Sequence, residues 1–331
     1  MNNRAGRYLD TNEAMYISLT SLSSVLSIGG GVSIILVYRK FVDLQTPLRK
    51  LFALLSLADV LTATGNILGV MWYMYGDRDY LILCKLQSAL TVFSSISSFL
   101  WTVIIGVCLL FTIVIFNPSF APTYMKVFHI ISWSLPAVIA VLALSMDVLG
   151  YDESLHQASW CWIDPRVENA LFWQFFTGKF WEIVAYIATL ILYTKVKVYL
   201  WKRSRTNLAT KGHASSSSAL HEANRKLTFV PLVFIVLRIW GTLRFLLGSF
   251  AHEYASSPAG SWIVPLQGIG DSAQGFANFI LYCFFTEKIR NRLLPSCLVK
   301  KRRNAHTIEV KTKEVKRAAV NVLLNENSSD V

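Results

Sequence analysis

Apolar residues run along this chain in seven long blocks, roughly 14–38, 49–75, 82–116, 124–149, 169–194, 226–250 and 261–285, joined by short polar connectors. Each block suffices for a membrane-spanning helix, which needs about 20 mostly apolar residues, whereas strands of a membrane barrel would be about 10 residues long and alternate in polarity. The pattern predicts an all-α membrane fold, a seven-transmembrane helix bundle over residues 14–285 behind a short N-terminus, 1–13. The first block is the most polar, with six serines and the run Gly29, Gly30, Gly31. Small residues let helix backbones approach closely, so this span is expected to pack against its neighbours. Its length and the Arg39-Lys40 at its end argue against a cleaved signal peptide. Beyond the seventh block, Phe285, Ile289 and Leu293 fall at i, i+4 and i+8 among basic residues. That spacing predicts a short amphipathic helix over 286–298 on an anionic membrane surface. Residues 299–331 read as a basic, disordered tail.

Composition sharpens the picture. Hydrophobic residues make up 53% of the chain and charged residues only 16%, with a mean hydropathy of +0.44. Soluble domains carry about 25% charge. No Cys-x-x-Cys, His-Glu-x-x-His or Gly-x-x-x-x-Gly-Lys pattern occurs, so a zinc module or nucleotide enzyme is not expected. No cofactor, metal or nucleic-acid partner is expected either.

The net charge of +12 is unevenly spread. Twenty-four Lys and Arg lie in the connectors 39–50, 117–126 and 195–226 and in the tail, five on the other side, and three within spans. The positive-inside rule places the twenty-four in the cytoplasm, the N-terminus outside and the C-terminus inside. An odd number of spans demands the same.

Cys84 and Cys161 both fall on the outer, oxidising side, so one bridge is available between them. Cys297 continues the amphipathic stripe and reads equally as a palmitoylation site or a free thiol. Six ionisable residues lie inside spans: Asp59, Lys179, Glu182, Arg238, Arg244 and Asp271. Such charges are costly and mark function by default. Their sum is zero, which suits mutual pairing, and Glu182 and Arg238 stand at similar depth and are expected to interact. Either the six form a structural ion network, or part of it switches and Lys179 and Arg244 meet a ligand anion. Gln267, Asp271, Gln274 and Asn278 form one polar stripe on span seven, expected to face into the bundle towards Asp59. Pro231, near the inner end of span six, is a candidate hinge.

The functional classes then narrow. A retinal-type pump needs a lysine in the last span, and none precedes Lys288 there. A metal-dependent membrane hydrolase needs clustered histidines, but the six present are scattered. No repeat of span patterns is seen, which counts against a transporter; a transporter or non-signalling scaffold stays as the alternative.

Seven spans, an outer N-terminus and a bridge from span three to the second outer loop resemble a G-protein-coupled receptor. Leu55-Ser56-Leu57-Ala58-Asp59 looks like a second-helix signature of such receptors, and Trp133 with Pro136 like a fourth-helix pair. Ser98-Phe99-Leu100-Trp101-Thr102, Trp160-Cys161-Trp162, Thr177-Gly178-Lys179-Phe180-Trp181-Glu182 and Gln274-Gly275-Phe276-Ala277-Asn278 narrow this to an orphan group. That group is similar to the slime-mould cyclic-AMP receptors and, more distantly, to secretin-like receptors. The resemblance implies a signal transducer that is not an enzyme, acts on a heterotrimeric G protein, engages arrestin, and sits in the plasma membrane. Phosphoinositide (Gq-type) coupling and a ciliary address are implied by resemblance alone. Span three ends without Asp/Glu-Arg-Tyr, so the arginine lock of rhodopsin-like receptors does not carry over. Candidate residues for an unknown extracellular ligand are Trp101, Trp162, Lys179, Arg244, Gln267 and Asp271. The ending Ser329-Asp330-Val331 resembles a ligand for a PDZ protein, held through the Val331 carboxylate.

Overall fold

The computed structural model describes residues 11–75, 81–151, 161–209, 233–251, 260 and 262–284 of the 331. Among the described residues, six apolar helices are long enough to cross a membrane: Ala14–Lys40, Pro47–Met74, Leu81–Ile113, Met125–Ser145, Ala170–Arg203 and Val233–Phe250. A seventh, more polar segment follows at Ile263–Ser272, Gln274–Phe279 and Ile280–Phe284. The protein is thus a seven-helix bundle. Pro231, Cys297, the amphipathic segment 286–298, the tail and Val331 lie outside the described residues.

Polarity is arranged for lipid. Large apolar side chains such as Leu22, Val25, Leu36, Ile187 and Leu190 point outward, while Ser24, Ser27, Ser56, Ser94, Ser97 and Ser98 are completely buried. The small residues of span one do what their size permits. A Cβ on Gly30 would stand 3.1 Å from the Gly275 carbonyl oxygen, and one on Gly31 would stand 3.1 Å from that of Ser56. Close backbone approach of this kind holds spans one, two and seven together where hydrophobic burial cannot.

Two span bounds are corrected, and the helical bundle carries one small addition: Leu149–Tyr151 (β1) and Cys161–Ile163 (β2) form a two-stranded antiparallel hairpin, with Gly150 opposite Trp162. Residue 149 therefore begins strand β1 rather than ending span four, which stops at Ser145. Span four also widens into a π-turn at Ile130–Ser134. Pro136 has no N–H to return to the Ser132 carbonyl, and a wider turn accommodates that loss. Span five does not end at 194. It runs through Ala170–Gln174, a π-turn Phe175–Lys179 and Phe180–Ala209. Lys195, Lys197 and Lys202 end the apolar block, but they are good helix formers and do not end the helix.

Span seven breaks at Ala273. A regular helix would bond the Gly275 N–H to the Asp271 carbonyl. Instead the Gly275 N–H donates to Ser27 Oγ at 2.8 Å, and Asn66 Nδ2 donates to the Asp271 carbonyl at 3.3 Å. Spans one and two supply the groups that the break leaves unpaired.

Candidate functional site

Cys84 and Cys161 are joined by a disulfide, with Cα atoms 5.4 Å apart and both residues fully buried. The bridge fixes strand β2 to the start of span three. Ser88 Oγ, one turn further along, donates to the Trp162 carbonyl at 3.0 Å. Lys85 pairs with Asp147 beyond span four, tying the same end together. Past the hairpin, the Arg166 side chain hydrogen-bonds both carboxylate oxygens of Asp164, at 2.9 and 2.7 Å. Those bonds hold the Asp164 carboxyl below the usual carboxylate range.

Beneath the hairpin lies a cavity of about 420 Å³. Trp162 lines it and packs over Gly178, where an added Cβ would meet the indole at 3.0 Å. Five of the six intramembrane charges line the cavity: Lys179, Glu182, Arg238, Arg244 and Asp271. Lys179 Nζ donates to Glu182 Oε2 at 2.7 Å, and Tyr186 donates to Glu182 Oε1 at 2.7 Å. Arg238 Nη1 donates to Asp271 Oδ1 at 3.4 Å. Arg244 Nη1 donates to Gln267 Oε1 at 3.2 Å, and Gln267 Nε2 to Asp271 Oδ2 at 3.1 Å. Glu182 and Arg238, expected to interact, lie within electrostatic range but share no hydrogen bond or close ion pair among the described residues. Lys179, one turn earlier on the same helix, occupies the Glu182 carboxylate, and Arg238 turns to span seven.

The sixth charge belongs to a separate cluster. Asp59 is 2% exposed, and it accepts from Ser98 Oγ at 2.6 Å and from Asn278 Nδ2 at 2.8 Å. The polar stripe of span seven is accordingly divided. Gln267 and Asp271 face the cavity, while Asn278 reaches Asp59 with Gln274 donating to it at 3.5 Å. Trp101 belongs to neither. It is fully buried against His129 and Trp133, at ring-centroid distances of 5.4 and 5.9 Å, and does not line the cavity. Its neighbour in sequence, Phe99, does. Two residues two apart on a helix stand about 200° apart around the axis, so they face different neighbours.

Sequence reasoning missed Asn66, Tyr186 and Thr242. Asn66 also donates to Ser272 Oγ at 2.9 Å, and Thr242 Oγ1 lies 3.3 Å from the Tyr186 hydroxyl. Asn66 is seven residues after Asp59 and Tyr186 is four after Glu182. Both spacings repeat a helix face already marked by a charge, which was the available signal.

The comparisons with known proteins agree with this architecture. A family model described as 7 transmembrane receptor (Secretin family) matches residues 14–276. The chain is 35% identical over 286 residues to G-protein coupled receptor 157 of Homo sapiens, covering 83% of this chain and 82% of that protein. It is 33% identical over 145 residues to Cyclic AMP receptor-like protein A of Dictyostelium discoideum, 43% of this chain and 36% of the relative. Squid rhodopsin, in its crystal structure, superposes with a TM-score of 0.65 at 14% identity over 90% of each chain, a likeness of fold alone.

Proposed function

The chain belongs to the secretin family of seven-transmembrane receptors, and on that premise we propose that an extracellular small molecule enters the cavity under the hairpin and shifts the bundle between two states. Membership makes the protein a G-protein-coupled receptor of the plasma membrane, a partner of G proteins and membrane lipids and not an enzyme. The observation that carries the ligand reading is the cavity itself, walled by the charged faces of spans five, six and seven and roofed by Trp162. Small-molecule sites are concave, mostly apolar and supplied with a few fixed polar groups. Lys179, Arg244, Gln267 and Asp271 are those groups. The charge asymmetry of the connectors supports an outer N-terminus and a cytoplasmic C-terminus. The resemblance to the orphan receptors supports Gq-type phosphoinositide signalling, arrestin engagement and a ciliary address. Pro231 as hinge, palmitoylation of Cys297 and capture of Val331 by a PDZ protein complete the proposal.

Cells expressing the full chain, assayed in parallel with subtype-resolved G-protein dissociation reporters, test the coupling. We expect ligand-independent activity that rises with receptor surface density in the Gq channel. Activity confined to another subtype overturns that coupling. A free-acid peptide ending at Val331 that binds PDZ domains no better than its amide removes the tail interaction.

A further inference from the structure

We propose that the cavity's ligand is a small organic anion, a carboxylate or phosphate monoester on an apolar body, whose charged group docks on Arg238. The inference rests on reading the cavity as the receptor's ligand site. Arg238 is 4% exposed, and its guanidinium lies 5.0 Å over the Phe99 ring on the cavity wall. Its bond to Asp271 is long, 3.4 Å, against about 2.7–2.9 Å for a good charge-assisted bond. Among the described residues its Nε and Nη2 have no hydrogen-bond partner. A buried guanidinium with two idle donors is costly, and native structures rarely leave such groups unanswered. The two donors, Nε and Nη2, lie along one edge of a planar fork, which matches a carboxylate or phosphate in two parallel bonds.

Lys179 and Glu182 pair with each other at 2.7 Å, which leaves the two idle donors of Arg238 for an incoming anion. Phe99, Trp162, Leu171 and Phe245 supply an apolar surface for the rest of the ligand. The volume of about 420 Å³ sets its size to a single small molecule. Asp271 lines the site and takes Nη1 of the same guanidinium, so its carboxylate repels the incoming anion and limits how tightly the anion binds.

Purified full-length protein in lipid nanodiscs, followed by thermal unfolding, tests this with matched probes. Phenylbutyrate and naphthylacetate form the carboxylate arm and phenyl phosphate the phosphate arm. Phenylbutyramide and naphthylacetamide are the uncharged counterparts. We expect saturable stabilisation by the acids of at least one arm and none by the amides; the stronger arm identifies the anionic group. Arg238→Gln should weaken acid binding by roughly tenfold or more, as loss of a buried charge-assisted contact does. Asp271→Asn should strengthen it severalfold, an outcome that a merely structural ion pair would not give. Should Arg238→Gln fail to fold, the acid–amide comparison and Asp271→Asn still decide. Amides binding as well as acids, no acid binding at all, or unchanged affinity in Asp271→Asn overturns the proposal. G-protein activation is read separately. Receptor activity without acid binding removes the ligand class alone. Acid binding that leaves that activity unchanged upholds the anion site and removes its role in signalling.

Discussion

Ser27 Oγ takes the amide of Gly275 at the break in span seven, replacing the Asp271 carbonyl that a continuous helix would offer. The hydroxyl is fully buried, so no solvent substitutes for it. We expect Ser27→Ala to leave an orphan N–H and cost about 1–3 kcal/mol. Ser24→Ala, one turn away and with no partner for its hydroxyl among the described residues, should cost less. Thermal unfolding of the two purified variants side by side checks this; equal losses would mean that the break needs no help from span one.

The pairing of the cavity charges gives a second expectation. In double-mutant cycles, Lys179 with Glu182 and Arg238 with Asp271 should each show coupling of about 0.5–3 kcal/mol. The Glu182–Arg238 cycle should return the smaller value. Stability of detergent-purified protein is the readout, and a dominant Glu182–Arg238 term would reverse the assignment.

Loss of the disulfide should act as one event. Cys84→Ser and Cys161→Ser each open the same loop, 77 residues in sequence separation, worth about 4–5 kcal/mol in the loop-entropy model. Surface expression should fall in both single variants, and the double variant should be no worse than either. Additive losses, or mass mapping that finds both thiols free in folded protein, would dismiss the bridge.

Glycines in this bundle should divide by what faces them. An added Cβ at Gly270 runs into the Leu237 carbonyl oxygen, which is backbone and cannot turn away. Gly270→Ala should therefore cost about 1–3 kcal/mol by overpacking. At Gly29 nothing lies within 4 Å, and alanine there should gain up to about 1 kcal/mol of helix propensity. Unfolding midpoints of the two variants should move in opposite directions.

Acid should loosen the disulfide end through Asp164. Its folded carboxyl titrates below the unfolded value because Arg166 hydrogen-bonds the ionised form. The contribution is therefore complete above the unfolded value, about 3.9, and fades as pH falls through the lower folded value. As pH falls below about 4 the wild type should lose more stability than Asp164→Asn. Parallel slopes in an acid titration would separate this pair from stability.

The span count and the face of the Asp59–Asn278 contact were legible in the sequence, because lipid enforces long apolar blocks and punishes stray polar groups. Other features were hidden for physical reasons. Hydropathy reports where lipid ends, so it cut span five at 194 although lysines continue the helix to Ala209. The break at Ala273 depends on Ser27 and Asn66, partners 248 and 205 residues from the groups they satisfy. Trp101 was the pocket candidate and Phe99 was not, and only packing placed Trp101 against span four and Phe99 at the cavity. Depth suggested Glu182 with Arg238, whereas a lysine one turn away on the same helix was nearer.

The stretch Phe180–Ala209 is a rod of 30 residues, about 45 Å long at the usual rise. Its first turn carries Glu182, and Lys179 sits immediately before it in the π-turn. Near its far end, the Tyr199 ring meets Phe116 at 6.2 Å and Arg203 lies over the same ring at 5.4 Å. A rod of this length is a lever with its short arm in the cavity. Tilting it by about 5° where the cavity holds it sweeps the Ala209 end through roughly 4 Å. A small displacement at the cavity would thereby be magnified at the opposite end, and Phe116, three residues beyond the end of span three, is the surface across which that stroke would slide.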